Sequence, residues 1–433
     1  MKVVFFVHYF PPLNSTGSRR VESFAKYLAR DGHEIVVIST RKTRRDGPLT
    51  ETVPSYVRLY ELDASGRCIG TQTPGESAVV TQPAAKRIHW TRRVRQQIMR
   101  LFGQLIDHRL LFAMALGSKK LDPRVSQELA TADVFVSSCP PWPTHLAALV
   151  AARRFGKPWI ADYRDQFSGN HVMNGTWFSD RIECAIDRAL LKRATAVTVI
   201  SGPMQTYYED MHAVVHCVEN GYDSELFDSV SATLQPAASS SADAPIVVRY
   251  MGTITRDRIP HNLLAALERV NTRGKSTRQV RLEFFGDTRI LEDFVSARHP
   301  NVKQWIDFRP AVPYRKSIEA MLTADALLFM ETSSMSSLSA RGVLTTKLFE
   351  YLASGRPIVA DIDDATLAAS YIKRASASHV VSRDVETLAS ALERLGAGEA
   401  VAAHDHDFVT GLSRREKARQ FEQIALGVSA GSA

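Results

Sequence analysis

Apolar and polar residues alternate in blocks along the chain, in the order expected of alternating strands and helices. Residues 3–7 form a continuous apolar run, which is typical of a parallel strand buried on both faces. A helical repeat follows, Gly32 ends it, and residues 34–39 form a second apolar run. The apolar positions of the intervening helix are Val21, Phe24, Ala25 and Leu28. The pattern predicts a βαβ unit at the N-terminus.

The same alternation continues through both halves of the chain. Residues 41–132 show no clear period, and residues 228–245, rich in Ser, Ala and Pro, are predicted to form a linker. Further helices are predicted at residues 182–193, 318–323 and 414–426. Further strands are predicted at residues 132–138, 158–162, 196–200, 246–253, 280–285, 302–309 and 324–330. We therefore predict an α/β fold with two Rossmann-like domains.

The segment at residues 342–360 is predicted to form a loop, a short helix, a turn and a strand. Residues 345–346 are threonines, which are good N-caps, and Gly355 suits a left-handed C-terminal cap. A glycine-led loop entering a helix presents free N–H groups that suit a phosphate or diphosphate. Lys347 and Glu350 lie on the polar face of this helix. The alternative is a surface turn in which this pair contributes only about 0.2–0.5 kcal/mol.

Composition indicates a globular protein rather than a membrane-spanning or disordered one. The chain has 433 residues, 45% hydrophobic and 23% charged, which suggests two or three domains. No run approaches the roughly 18 apolar residues that span a bilayer, so we expect a cytoplasmic protein that starts with a strand, not a signal peptide. Four widely spaced cysteines indicate free thiols and no metal site: Cys68, Cys139, Cys184 and Cys217.

Basic residues are concentrated in the first half of the chain. The net charge is +8, and residues 1–225 contain 29 Lys and Arg against 22 Asp and Glu. Residues 86–100 carry six Lys and Arg and no acidic residue, beside Trp90 and several aliphatic side chains. We predict that residues 86–102 rest on an anionic membrane surface, each near-surface cation contributing about 1 kcal/mol. A solvated helix face is the alternative, and no recognisable motif supports nucleic-acid binding.

A dinucleotide-binding unit would need GxGxxG at the first strand-to-helix turn, where only Gly17 stands. Residues 347–359 read Lys-Leu-Phe-Glu-Tyr-Leu-Ala-Ser-Gly-Arg-Pro-Ile-Val. This segment resembles the nucleotide-sugar-binding segment of family 4 glycosyltransferases, group 1 type, in the branch with TKLFEYLA. The resemblance implies a GT-B fold, two Rossmann-like domains facing a central cleft, and retention at the anomeric carbon. It implies that Glu350 holds the donor ribose and that the diphosphate is held by Gly342, Val343, Leu344, Thr345 and Lys347.

Other segments resemble the same family. The order Tyr-Phe-Pro-Pro, small-residue loop and helix is similar to the family's start, and implies Gly17 at the donor phosphate and Ser18 at the acceptor. The strand at residues 246–253 implies a following cation on the diphosphate, worth about 1.5–3 kcal/mol. Arg256 and Arg258 both remain candidates, and the alternative is that both are solvated. The remaining donor contacts implied in this half are Gly252, Thr253 and Gly286.

Candidate acceptor residues follow two strands of the first half. The carboxyl ends of parallel strands line the ligand crevice, so His145, Asp162, Arg164 and Asp165 are expected near it. They resemble the Ser-Pro-Pro…Thr-His and Asp-x-Arg-Asp segments of one branch of the family. We assign His145, Asp162 and Arg164 to acceptor binding, and His145, Asp165 and Glu350 to catalysis. The alternative is structural: Arg164 braces the loop against a carboxylate, and His145 is only a hydrogen-bonding residue.

The sequence departs from the family at one acidic position. Family members commonly carry two glutamates eight positions apart, but Gly342 stands eight positions before Glu350. Glu331, another group or the backbone amides of residues 342–345 are expected to substitute. No acidic pair has a metal-binding context, so we expect no metal and no cofactor besides the nucleotide-diphosphate sugar donor.

The resemblance also sets the expected domains and reaction. Residues 1–222, completed by a C-terminal helix at residues 410–433, would form the acceptor-side domain, and residues 223–409 the nucleotide-sugar-binding domain. The expected reaction moves a sugar to a hydroxyl of a glycan or lipid-linked acceptor in cell-surface polysaccharide assembly. Two alternatives remain open: a nucleotide-sugar epimerase or hydrolase of the same fold, and a noncatalytic membrane-associated scaffold.

Overall fold

The chain folds into two compact units in this computed structural model. Unit 1 comprises Met1–Glu219 with Arg414–Ala433, and unit 2 comprises Asn220–Ser413. The structure describes residues 1–43, 46–72, 101–102, 104–105, 107–170, 176–234, 244–273, 278–331, 342–399 and 404–431.

The eight described strands of unit 1 form one sheet in the order β4-β3-β2-β1-β5-β6-β7-β8. All neighbours are parallel except β3 and β4, which are antiparallel. The strands are β1 (Lys2–Val7), β2 (Glu34–Thr40), β3 (Val57–Leu62), β4 (Cys68–Gln72), β5 (Val134–Cys139), β6 (Trp159–Tyr163), β7 (Ala196–Val199) and β8 (Val215–Cys217). The helices that follow them are α1 (Thr16–Arg30), α2 (Leu110–Ala115), α3 (Pro123–Ala130), α4 (Pro143–Phe155), α5 (Trp177–Leu191) and α6 (Gly202–Glu209).

Unit 2 repeats the same architecture on a smaller sheet, whose described strands are parallel and ordered β11-β10-β9-β12-β13-β14. The strands are β9 (Ile246–Met251), β10 (Val280–Phe285), β11 (Ile306–Arg309), β12 (Ala326–Phe329), β13 (Ile358–Ala360) and β14 (Val380–Val381). The helices are α7 (Ser224–Ser231), α8 (His261–Arg273), α9 (Arg289–Arg298), α10 (Tyr314–Leu322), α11 (Thr346–Ala353), α12 (Leu367–Ala375), α13 (Val385–Gly396) and α14 (His406–Thr410). Short 3-10 turns span Arg256–Arg258 and Pro300–Trp305.

The apolar run in β1 lies at the centre of the unit 1 sheet, between β2 and β5. Its residues alternate between two buried layers, because the sheet is covered on both faces. Phe6 packs edge-on against Phe135 in one layer, at 5.3 Å between ring centroids. Phe5 lies in the other layer, in the same core cluster as Phe24 of α1. The predicted N-terminal βαβ unit is therefore confirmed.

The last helix, α15 (Arg414–Ala430), packs on α1 in unit 1. Phe421 is fully buried and stacks on Phe24, with 4.4 Å between ring centroids and 9° between ring planes. Lys417 donates a hydrogen bond to Glu219, the last residue of the main segment of this unit, at 2.8 Å. The helix thus ties the end of the chain to its beginning.

Three expectations from the sequence were wrong in detail. Residues 41–132 are not simply irregular, because β3, β4 and two short helices lie there. The proposed linker at residues 228–245 overlaps α7, whose last turn covers its first four residues. The expected strand at 302–309 is shorter, since a 3-10 turn occupies its first half.

The membrane segment predicted at residues 86–102 lies outside the described residues except Leu101 and Phe102. None of the helices in the described ranges is long and apolar enough to cross a membrane.

Candidate functional site

Two glycine turns lie side by side where β9 and β10 end. Gly252 and Gly286 both have φ of +131°, a region that side-chain-bearing residues rarely adopt. A Cβ atom on Gly286 would stand 2.5 Å from the carbonyl oxygen of Gly252. The amide of Gly252 donates to the carbonyl of Phe285 at 2.8 Å, which fixes the two turns against each other. Glycine at position 286 permits this close backbone approach at the carboxyl edge of the sheet, and the positive φ favours glycine at both positions.

Lys347, in the first turn of α11, reaches back to the β9 turn. Its Nζ donates to the hydroxyl of Tyr250 at 2.7 Å and lies 3.9 Å from the centroid of the same ring. A Cβ atom on Gly252 would meet that Nζ at 2.9 Å, so the glycine leaves room for the ammonium. Burial lowers the pKa of Lys347 to about 7, although Glu331 and Glu350 act in the opposite direction. Among the described residues, no carboxylate forms an ion pair with it.

The loop before α11 ends in a hydroxyl group that lacks a partner within the described part of the chain. Thr345 is the N-cap, with an extended backbone at φ −74° and ψ 150°, as expected from the sequence. Its Oγ1 is buried and accepts no hydrogen bond from a described amide, and none from its own helix. Gly342 and Leu344 are buried and Val343 is half-buried. The first amides of α11 and this hydroxyl are donors that an anion could accept from.

Glu350 lies one turn further along α11 and is largely buried. Its Oε1 accepts a hydrogen bond from the hydroxyl of Tyr314, the first residue of α10, at 2.7 Å. Gly355, at φ +67°, ends the helix in the predicted left-handed conformation. The carboxylate is therefore held in place on the same helix face as Lys347.

Of the two candidate arginines, Arg258 belongs to the cluster. It pairs with the buried Glu331 at 2.5 Å, just beyond β12. Burial raises the pKa of Tyr250 to about 12, whereas the positive charge of Arg258 lowers it. The guanidinium of Arg258 therefore lies near the phenol of Tyr250. Arg256 and Thr253 are exposed, and no described contact links the Arg256 side chain to the cluster.

In unit 1, Arg164 braces the predicted donor loop. Its Nη1 donates to the carbonyl of Gly17 at 2.6 Å and its Nη2 to the carbonyl of Pro140 at 2.6 Å. A Cβ atom on Gly17 would stand 2.4 Å from Nη1, so the glycine permits this approach. Ser18 is buried and donates to the carbonyl of Leu13 at 2.9 Å. The brace uses backbone carbonyls and not the carboxylate that the sequence suggested as its partner.

Asp162 has a structural partner that the sequence did not suggest. Arg20 of α1 donates to it from Nη2 at 2.7 Å and from Nε at 3.1 Å, with both side chains buried. Ser138 and Thr198 also donate to this carboxylate, at 3.0 and 2.8 Å. Burial raises the pKa of Asp162, but the charge and hydrogen bonds of Arg20, together with the hydrogen bonds from Thr198 and Ser138, lower it overall. Its oxygens are thus engaged inside unit 1.

His145 lies inside the unit 1 core. It is completely buried, and its Nδ1 shares a hydrogen bond of 2.6 Å with Ser137. Its ring packs on that of Tyr163 at 4.4 Å between centroids. Burial lowers its pKa to about 3, so the imidazole stays neutral. Asp165, by contrast, is exposed. Because the imidazole has no surface exposed to solvent, an acceptor cannot contact it in this conformation. His145 is therefore not part of the proposed site.

Residues 15–221 match the sequence family described as Glycosyl transferase 4-like domain. No curated protein sequence matches the chain. Among solved structures, sucrose-phosphate synthase from Thermosynechococcus elongatus is similar at a TM-score of 0.62 and 15% identity, with 100% of both chains covered. Anabaena HepE, solved in complex with UDP, is similar at a TM-score of 0.60 and 12% identity, over 99% of this chain and 100% of that one.

A similar fold is also found in a protein whose name gives a different activity. UDP-GlcNAc 2-epimerase from Methanocaldococcus jannaschii is similar at a TM-score of 0.50 and 11% identity, over 98% of this chain and 100% of that one. These likenesses confirm the predicted GT-B fold, with two Rossmann-like units built on parallel-dominated sheets. At such identities they carry the fold alone.

Replacing Arg20 with Met should leave the Asp162 carboxylate buried without its cation. We expect Arg20→Met to lower the free energy of unfolding by about 3–5 kcal/mol, as measured by urea unfolding at pH 7. The pair depresses the pKa of Asp162 below its ordinary 3.8. Its contribution is therefore present above that pH, and the difference between wild type and variant should shrink as the pH falls further.

The matched control is Arg19→Met, on the same helix. Arg19 pairs with Glu51 at 3.0 Å, and both side chains are partly exposed. We expect this variant to lose less than about 1 kcal/mol. Equal losses for the two variants would contradict the bracing role of Arg20.

Proposed function

We propose that this chain is a retaining glycosyltransferase that moves a sugar from a nucleotide-diphosphate sugar to an acceptor hydroxyl. The match of residues 15–221 to a Glycosyl transferase 4-like domain supports this proposal, as does the GT-B fold. The UDP in the Anabaena HepE complex supports a nucleotide donor and makes UDP the first ligand to test. Placement in cytoplasmic polysaccharide assembly, with a glycan or lipid-linked acceptor, is part of the proposal.

The observation that carries the proposal is the half-buried ammonium of Lys347, which has no carboxylate partner in the described residues. A buried cation is costly unless an anion neutralises it. The first amides of α11 and the hydroxyl of Thr345 supply further donors close by in the chain. A diphosphate would satisfy these groups together, as anions do at helix N-termini. The expected role of this site is to stabilise the departing nucleoside diphosphate.

Glu350 and Arg258 have separate parts in this mechanism. Glu350, oriented by Tyr314, would accept hydrogen bonds from the ribose hydroxyls. Arg258 would add positive charge to the diphosphate, while its partner Glu331 takes the place of the family's missing first glutamate near the donor sugar. The departing phosphate oxygen would take the acceptor proton on the same face, so no protein base is required. The metal-free character of the reaction is likewise a proposal.

Nucleotide binding can be measured by thermal unfolding with UDP, GDP, ADP and dTDP. A ligand at 100 times its dissociation constant stabilises the native state by about 2.7 kcal/mol, which shifts the midpoint by a few degrees. We expect one nucleotide to shift the wild type. Lys347→Met should weaken that affinity roughly tenfold to a hundredfold, since it removes one charge-assisted hydrogen bond. Glu350→Ala should also reduce the shift.

The matched controls are Lys316→Met and Glu319→Ala. Lys316 is exposed and Glu319 is half-buried on α10, and the two side chains pair with each other at 2.5 Å. Both control variants should keep the full nucleotide shift. If no nucleotide shifts the wild type, the diphosphate site is wrong and the scaffold alternative is favoured.

Transfer is separated from its rivals by the requirement for an acceptor. We expect UDP to be released from UDP-glucose, UDP-galactose or UDP-GlcNAc only when a glycan or polyprenyl-linked sugar is added. A coupled nucleotide assay measures this release. Release without an acceptor would favour the hydrolase, and conversion of the donor sugar without a product glycoside would favour the epimerase. The product should keep the anomeric configuration of the donor, and inversion, read by NMR coupling constants, would contradict the proposed stereochemistry.

A further inference from the structure

Four large apolar side chains of unit 1 are exposed next to one another in two segments. They are Leu101 and Phe102, and Trp177 and Phe178 in the first turn of α5. Trp177 is 71% exposed and Phe178 is 59% exposed, whereas the other described tryptophans are buried. Neighbouring exposed apolar side chains of this size indicate an interaction surface.

Hydrogen bonds hold these two segments together. Thr176, the N-cap of α5, donates from its hydroxyl to the carbonyl of Leu101 at 3.2 Å. The amide of Gln104 donates to the buried carboxylate of Glu183 on α5 at 2.7 Å. The carbonyl of Gln104 accepts from the indole N–H of Trp142 at 2.9 Å. The apolar residues are therefore presented by a fixed part of unit 1.

The exposed side of α5 carries only positive charge beyond its aromatic tip. Two of the three acidic residues of this helix, Glu183 and Asp187, are buried, and Asp180 in its first turn is half-buried. Asp187 is engaged by the hydroxyls of Tyr163 and Ser168. The exposed cations along and just beyond the helix are Arg181, Arg188, Lys192 and Arg193. Within the described ranges, none of these four forms an ion pair, and Arg181 lies over the ring of Trp177 at 5.4 Å.

We propose that this surface docks on an anionic lipid membrane. We call it the α5 surface and define it as Leu101, Phe102, Trp177 and Phe178 with the cationic row of Arg181, Arg188, Lys192 and Arg193. Tryptophan and phenylalanine enter the lipid interface, and cations on the adjoining face are attracted by anionic headgroups. Hydrophobic insertion and charge attraction would then act from one surface of unit 1.

A second copy of the chain fits this surface less well. An isologous dimer would bring the same patch of two protomers together, and so would set cationic rows of like charge near each other. The proposal rests on described residues alone and does not depend on residues 86–100. It is also independent of the proposed sugar transfer, since lipid binding is measured without any donor.

Cosedimentation with vesicles tests the proposal on the full chain. We expect the wild type to bind vesicles containing phosphatidylglycerol and phosphatidylcholine, and to bind pure phosphatidylcholine much more weakly. The double variant Trp177→Ser/Phe178→Ser should lower partitioning by roughly tenfold or more, because two exposed aromatic side chains no longer insert. The control, Val214→Ser/Leu426→Ser, removes two other exposed apolar side chains of unit 1 and should partition like the wild type.

The cationic row has its own test. Each near-surface cation raises partitioning roughly fivefold at low salt, so Arg181→Gln/Arg188→Gln should lower it by about 25-fold. The same variant should bind with a weaker dependence on salt concentration. Thermal midpoints equal to that of the wild type would show that these surface variants remain folded.

A second readout uses fluorescence. Brominated lipid should quench part of the tryptophan emission of the wild type. The Trp177→Phe variant should still bind vesicles but lose most of that quenching. The proposal is overturned if Trp177→Ser/Phe178→Ser partitions like the wild type, which would assign any lipid binding to another segment. It is also overturned if the wild type does not bind anionic vesicles and instead uses the same residues to self-associate or to bind a DNA duplex.

Discussion

The proposed donor site depends on one half-buried ammonium group. Lys347 points from the start of α11 to the turn after β9, where it contacts the phenol of Tyr250 and the open side of Gly252. The absence of a Cβ atom at Gly252 leaves room for the ammonium, and Gly286 must be glycine to lie against Gly252. Burial without a described carboxylate leaves the cation poorly satisfied, which is why its pKa falls to about 7.

The two units use buried cations in different ways. In unit 1, Arg20 is neutralised by Asp162, and Arg164 donates to the carbonyls of Gly17 and Pro140. These cations join strand ends to neighbouring loops and have little capacity left for a ligand. In unit 2, Lys347 has only a phenol among its described hydrogen-bond partners. Because the two arginines of unit 1 are engaged by protein groups and Lys347 has no charged partner among the described residues, we place the proposed anion binding in unit 2. The buried cations of unit 1 instead hold its loops in place.

Sequence patterns predicted the local features of the fold, namely its strands and helix ends. Continuous apolar runs located the central strands, and the threonine, glycine and proline around α11 predicted its N-cap and its left-handed end. Long-range partners were not predictable in this way. Arg20 and Asp162 are 142 residues apart, and Lys347 and Tyr250 are 97 apart, so no periodicity connects them. The aromatic tip of α5 was missed because burial, and not spacing, distinguishes an exposed Trp177 from a core residue.

The central claim is tested most directly by measuring the pKa of Lys347 in the free protein and with the bound nucleotide diphosphate. NMR of protein labelled with 13C at lysine Cε, assigned by the signal lost in Lys347→Met, gives both values. The account predicts a pKa of about 7 in the free protein. It predicts a rise of about 1–3 units on binding, because an anion close to the ammonium favours its charged form. An ordinary lysine pKa that does not change when the nucleotide binds would contradict the account.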